Sequence, residues 1–323
     1  MIPALVLTGG LATRLYPLSL VRAKAALPVA GTPLVVRILE WLRQAEIADV
    51  VLNLHHLPHT LTRLLGDGAE LGIRVRYSWE VPLLGSAGGP KRALPLLLNG
   101  SGAELHDRRT ILIVNGDTLT NADIVPAIEQ HRSTGALVTM MVVPNREPEK
   151  YSGLLVDESG FVTGVSKRGE SRPSFHYFGV QIVDAEALAR VPPGVPYESV
   201  GALYPSLTAE RPGSVRAFHC EADYLDIGTP ADYLRSSKLV AAREGRGSLV
   251  GVRTGVAPTA HIDGSILWDD VMIEDGATVH ECIVTDGVRV PAGTSWDRVT
   301  LRIAVGELAP GERRVGSLAI APL

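Results

Sequence analysis

The feature that most constrains this chain is the way its first strand ends. Ala4 to Leu7 is a short unbroken apolar run, the pattern of a strand buried on both faces. It stops at Thr8-Gly9-Gly10 and continues as Leu11-Ala12-Thr13-Arg14-Leu15-Tyr16-Pro17, then Lys24, Pro28 and Gly31. A strand of that kind requires neighbours in a sheet, and a glycine pair at its end lets a ligand approach the backbone. A phosphate placed there would meet backbone N–H groups and the cations of Arg14 and Lys24. The spacing lacks the third glycine of a dinucleotide-binding fingerprint and the Gly-Lys-Ser/Thr of a P-loop, so neither explains it.

The next stretches repeat a strand–helix alternation that predicts an α/β sheet. Pro33 to Ala45 carries Leu34, Ile38, Leu39 and Leu42 at helical spacing; Asp49 to Leu54 reads as a second buried strand and Leu57 to Leu65 as a helix. His55, His56 and His59 cluster where those two elements join, and packing of strand-end histidines explains them better than a metal site, for which no cysteine or carboxylate partner is near. Arg74 to Ser78 leads into a second glycine-rich stretch, Trp79 to Gly89, expected as a loop. Thr110 to Val114 is another apolar strand, ending in Asn115-Gly116-Asp117-Thr118. An aspartate at the carboxyl end of a central parallel strand stands where open α/β sheets hold their ligands. Beyond a strand at Ala136 to Val143, Gly153–Val156 and Phe161–Val165 read as a hairpin. Helices are expected at Ala185–Arg190 and Glu198–Glu210, a strand at Ser214–His219, and a helix from Thr229-Pro230 to about Glu244.

From Gly247 the texture changes. Ile262 and Val279, Leu267 and Val284, and Ile273 and Val290 are each 17 positions apart, with Gly and Asp between them, which predicts the rungs of a short parallel β-helix. So few coils need packing on the rest of the chain or on a second subunit, so a homo-oligomer is expected. His261 and His280 do not make an acyltransferase site, which needs a longer helix stacked in a trimer.

Bulk properties narrow the function class. The 323 residues suffice for one large domain, 1–245, and a smaller one, 246–323. Net charge is −4 with no basic block, which speaks against nucleic acid, and no apolar run is long enough to span a bilayer. Two cysteines, Cys220 and Cys282, are too few for a disulfide framework, and the chain opens on a core strand without a basic leader, so the cytoplasm is expected.

Taken together, Gly9, Gly10, Thr13, Arg14, Leu15, Pro17, Lys24 and Leu27-Pro28-Val29-Ala30-Gly31-Thr32-Pro33-Leu34 resemble the signature of the sugar-1-phosphate nucleotidyltransferases, most nearly the mannose-1-phosphate guanylyltransferases. Ala12 replaces a third glycine usual in that family, and Ala23 a proline. Further motifs fall in the family's order. Gly85-Ser86-Ala87-Gly88 resembles its base-recognition segment, Asn115-Gly116-Asp117 its metal aspartate, and Leu225-Asp226-Ile227-Gly228-Thr229-Pro230 its second metal motif. The resemblance implies a Rossmann-like mixed, mainly parallel sheet flanked by helices, with a short C-terminal left-handed parallel β-helix. It implies transfer of a nucleotidyl group from a nucleoside triphosphate to a sugar-1-phosphate with release of pyrophosphate. Arg14, Lys24, Asp117 and Asp226 would be catalytic, and Asp117 and Asp226 would hold Mg²⁺. Leu7, Gly9, Gly10, Thr13, Glu80, Gly85, Ser86, Ala87 and Gly88 would bind the nucleotide; Gly153, Lys167 and Tyr177 would bind the sugar phosphate. Glu80, an acceptor only, suits the donor edge of guanine, with a backbone contact as the alternative reader. Ser166 and Tyr177 replace a glutamate and an asparagine that read sugar hydroxyls, which implies an altered sugar or a cyclitol phosphate. A dTDP- or UDP-sugar synthase, and a regulatory subunit that only senses nucleotide sugars, are the alternatives.

Overall fold

The computed structural model describes residues 2–99, 110–245 and 249–323. Contacts divide the chain into two compact units: Met1–Gly10 with Arg37–Leu225, and Leu11–Val36 with Asp226–Leu323. Compactness in space therefore associates Leu11–Val36 with the last third of the chain, whereas a boundary at 245/246 runs along the sequence; residues 246–248, where that boundary falls, lie outside the described residues.

The first unit is built on a nine-stranded mixed sheet. Ala4–Leu7 lies in its middle, parallel to Asp49–Leu54 on one side and to Thr110–Asn115 on the other, and Arg74–Trp79 extends the parallel part beyond Asp49–Leu54. Phe175–Asp184 then runs antiparallel to Thr110–Asn115 and to Val138–Pro144, which pairs parallel with Val215–His219. The Gly153–Val156 and Val162–Ser166 hairpin closes that side. Residues such as Leu5, Val51, Ile113, Val138 and Val142 are buried because the sheet is covered by Gly85–Asn99, Ala185–Ala189 and Tyr204–Glu210. The strand order reverses between Ala4–Leu7 and Thr110–Asn115, so their carboxyl ends open the crevice where such sheets take ligands.

The expected strands and helices agree with the structure to within a few residues, with two exceptions. Gly85 to Gly89, expected as loop, forms the first turns of the Gly85–Asn99 helix. Five small residues in a row look flexible, but tertiary packing overrides their poor helix propensity. The expected helix at Glu198–Glu210 instead begins as a π-turn, Ser199–Leu203, and becomes α-helical at Tyr204.

In the second unit, three parallel ladders rise in steps of 17 residues: Ile262 beside Val279 beside Trp296, Leu267 beside Val284 beside Leu301, and Ile273 beside Val290. Leu267, Ile273, Val279, Val284, Val290 and Leu301 point inward and are fully buried. No single coil can bury its own apolar side, and stacking does it for all of them. The last rung turns antiparallel: Val299–Ile303 pairs with Leu318–Pro322, which pairs with Arg313–Val315. This cap is stapled by a buried ion pair in which Arg302 Nε donates to Glu312 Oε1 at 2.7 Å. Among the described residues no helix is long and apolar enough to cross a membrane.

Candidate functional site

The residues singled out from the sequence fall in both units. In the first unit, Leu7, Gly9 and Gly10 sit at the end of the central strand, with Gly9 buried and Gly10 exposed. Their backbone is fixed by a residue the motifs did not flag. Asn53 Oδ1 accepts from Thr8 N at 2.6 Å and from Gly9 N at 3.3 Å. Its amide nitrogen donates to Glu80 Oε1 at 2.7 Å, and Glu80 Oε2 accepts from Leu84 N at 2.9 Å. A continuous polar relay therefore links the first glycine pair to the residue just before the second glycine segment. Gly89 makes room for it, since a Cβ there would lie 2.3 Å from Glu80 Oε1.

Glu80 was expected to offer its carboxylate to the base. Its side chain is 0% exposed and both oxygens are engaged within the chain, so its geometry is that of a residue positioning the two segments. One sign was present in the sequence: Asn53 interrupts an otherwise apolar strand, and a buried amide must find partners.

The second glycine segment is strapped by Tyr197–Ser199. Tyr197 O accepts from both Ala87 N (2.9 Å) and Gly88 N (3.2 Å), and Tyr197 N donates to Leu84 O at 2.8 Å. Ser86 Oγ donates to Glu198 Oε2 at 2.6 Å and accepts from Ser199 N at 2.8 Å. Thus the backbone donors of Ala87 and Gly88 and the hydroxyl of Ser86 serve this strap, while the Glu198 side chain remains exposed beside Gly85. The sequence puts Glu198 and Ser199 at the start of an expected helix, and nothing in it marks this contact.

Asp117 stands on the turn after Thr110–Asn115, where Gly116 N donates to Leu7 O at 2.9 Å and ties the two strand ends together. Behind the turn, Phe175–Asp184 shifts register between Tyr177 and Gln181. Gly179 has φ +93, and a Cβ on it would lie 2.5 Å from Thr118 Oγ1, so only glycine lets the Asp117 turn seat there. Thr118 Oγ1 donates to Phe178 O at 2.8 Å to fix it. Tyr177 carries a buried hydroxyl with no hydrogen-bond partner; burial first, then Tyr204 and the Asp117 charge, holds its pKa well above the usual tyrosine range. Gly153 makes room for Ser174, whose Oγ would be 2.2 Å from a Cβ. Lys167 is exposed just past the Val162–Ser166 strand. Ser166 itself donates to Glu170 Oε2 at 3.1 Å, so a carboxylate stands next to the position where the resemblance lacks one.

In the second unit, Ala12 adopts the left-handed conformation, φ 50 and ψ 44, which explains the glycine usual at that position. It opens the Thr13–Leu15 turn, on which Thr13 and Arg14 are exposed, and its carbonyl accepts from Ser19 Oγ at 2.9 Å. Lys24 begins the next turn, Lys24–Ala26, and is half-buried. Asp226 precedes the Pro230–Arg243 helix, whose start is capped by Thr229 accepting from Asp232 N at 3.1 Å while donating to Asp232 Oδ2 at 2.9 Å. A Cβ on Gly228 would lie 3.2 Å and 3.3 Å from the two Asp226 oxygens and 3.4 Å from Asp232 Oδ2, so this glycine sits close against both carboxylates. Carboxylate oxygens are the donor type that suits a hard divalent cation, which takes one or two carboxylates and completes its shell with phosphate oxygens and water.

Comparison with known proteins agrees with this arrangement. A mannose-1-phosphate guanylyltransferase of Mycobacterium tuberculosis is 30% identical over 308 residues, covering 92% of this chain and 83% of that protein. A UTP–glucose-1-phosphate uridylyltransferase of Synechocystis is 26% identical, covering 89% and 76%. The crystal structure of HddC from Yersinia pseudotuberculosis superposes with a TM-score of 0.63 at 22% identity, over 74% of this chain and 100% of that one, and shares the fold. Residues 234–296 match a GlmU-like C-terminal hexapeptide model, the left-handed form of β-helix. Residues 3–243, three quarters of the sequence, match the nucleotidyl transferase model, and the chain belongs to that family.

Proposed function

We propose that this chain transfers a nucleotidyl group, with GTP as the favoured donor, to a mannose-1-phosphate-like sugar-1-phosphate, giving an NDP-sugar and pyrophosphate. The observation that carries the reading is the ordered motif set, from Gly9-Gly10 through Asp117 to Asp226, in a chain 30% identical over 308 residues to a mannose-1-phosphate guanylyltransferase. A phosphate oxygen of the sugar-1-phosphate attacks the α-phosphorus, the bond to the β-phosphate oxygen breaks, and pyrophosphate leaves. The nucleophile is already an anion at neutral pH, so no general base is required, and the protein supplies position and charge.

Arg14 and Lys24 bind the β- and γ-phosphates and steady the departing pyrophosphate. Lys167 orients the sugar phosphate, with Gly153 and Tyr177 on the sugar side. Asp117 and Asp226 would hold Mg²⁺, which would offset charge on the α-phosphate. Residues 1–245 carry the transfer and 246–323 the β-helix, in a cytoplasmic homo-oligomer.

A pyrimidine donor is the second reading. It is favoured by the burial of Glu80, which leaves base choice to other groups, and by similarity to the uridylyltransferase. Pyrophosphate release from four nucleoside triphosphates against a panel of sugar-1-phosphates separates the two readings. No release from any pair in the presence of Mg²⁺ would leave a nucleotide-sugar sensor. Asp226→Asn or Arg14→Ala is expected to lower turnover on the order of a hundredfold or more; wild-type release by either variant would overturn the assigned roles.

A further inference from the structure

Arg22 lies in the signature segment, between the Leu18–Leu20 and Lys24–Ala26 turns, yet its side chain belongs to the β-helix. Its Nε donates to Asp286 Oδ2 at 2.7 Å, and its Nη2 donates to Asp286 Oδ1 and to Asp269 Oδ2, each at 2.6 Å. The two aspartates occupy equivalent places on successive coils and are themselves joined, Asp269 N donating to Asp286 Oδ1 at 3.1 Å. The guanidinium also lies 5.2 Å from the ring centre of Trp268, a fully buried residue of the same coil.

A second grip follows on the other side of Lys24. Trp268 Nε1 donates to Tyr233 OH at 3.0 Å, and Tyr233 OH donates to Pro28 O at 2.6 Å. The segment is thus held at Arg22, two residues before the Lys24–Ala26 turn, and at Pro28, two residues after it, in each case by side chains from far along the chain.

We propose that the β-helix is a working part of the nucleotide site, and that Arg22, gripped by Asp269 and Asp286, is the positioning residue that sets the backbone presenting Arg14 and Lys24. The proposal rests on the reading that those two cations hold the triphosphate. A fork that meets one carboxylate at two points and a second at a third fixes orientation as well as distance, which a lysine ammonium cannot do. The pair Arg253–Asp270 supplies an internal contrast. It is also bidentate, at 2.6 and 2.7 Å, but it is exposed and joins the β-helix only to itself.

The test compares Arg22→Lys and Asp286→Asn with Arg253→Lys in the full-length protein, by amide hydrogen exchange and by steady-state kinetics. Exchange of residues 11–36 is expected to quicken in the first two variants while that of the inner rungs at Val279 and Val284 stays slow. KM for the nucleoside triphosphate is expected to rise about tenfold with KM for the sugar phosphate within twofold of wild type, and Arg253→Lys to resemble wild type throughout. Unchanged exchange in residues 11–36 overturns the bracing. Quickened exchange with an unchanged triphosphate KM, or equal rises in both KM values, overturns its role in the site. A wild-type chain that releases no pyrophosphate would instead defeat the proposed reaction, and the exchange measurement would still decide the bracing.

Discussion

The two glycine segments of the first unit and the signature segment of the second are held by opposite physical means. Asn53 and Glu80 form a buried relay in which the carboxylate is satisfied by an amide and a backbone N–H. Arg22 is a partly exposed cation seated between two carboxylates and over an indole. The relay excludes water, so any missing member leaves a buried group unsatisfied, at a cost of about 1–3 kcal/mol each. The clamp retains access to water, so weakening it costs orientation more than folding. One region therefore couples the conformation of its glycine segments to stability, while the other leaves the two separable.

The largest effect should come from breaking the relay. Glu80→Ala strands the Asn53 amide and Leu84 N–H and is expected to lower unfolding free energy by about 3 kcal/mol in urea titrations. Glu80→Gln keeps one acceptor but turns a donor toward a donor, so it should fall between Ala and wild type. An alanine variant as stable as wild type would mean the relay is passive.

The contrast extends to histidines. His131 in the first unit is buried beside Thr139 Oγ1, and burial, with a smaller contribution from Arg132, lowers its pKa to about 4. The unfolded chain takes up a proton below about pH 6.5 that the folded chain refuses, so stability is present above that pH and falls between about 6.5 and 4. That shift corresponds to roughly 3 kcal/mol, and His131→Asn should flatten the acid limb of the profile. His280 in the second unit is exposed on a β-helix ladder, 2.6 Å from Asp297 and 3.4 Å from Asp263. The hydrogen bond to Asp297 is the leading cause of its raised pKa. Its contribution is therefore present below about pH 6.5 and fades as pH rises through the raised value. Denaturation of His280→Asn alongside wild type at pH 6 and pH 8.5 should show a difference only at the lower pH. A wider gap at pH 8.5 would reverse the sign assigned here.

The smallest effect concerns the signature segment itself. Ala12→Gly removes the penalty of a side chain at φ 50 but loosens the unfolded chain, for a net gain of up to ~1 kcal/mol. A net loss on this substitution would show that the Ala12 methyl is held by packing rather than tolerated.

Much of this is legible in the sequence. Apolar runs such as Asp49–Leu54 and Thr110–Asn115 declare buried strands because no other structure buries both of their faces in so few residues. The 17-residue spacing declares the coils, since identical inward positions must recur once per turn. Asp117 and Asp226 could be singled out because each stands in a motif whose chemistry needs a carboxylate. What the sequence could not determine is which groups are already spent on the protein. Glu80 looks like a reader of bases until Asn53 and Leu84 are brought to it from 27 and 4 residues away. No motif points to Arg22, whose partners Asp269 and Asp286 come from 247 and 264 residues away. Local pattern fixes backbone and face, because those depend on neighbours along the chain. The partner of a buried charge depends on neighbours in space, and only the tertiary structure decides that.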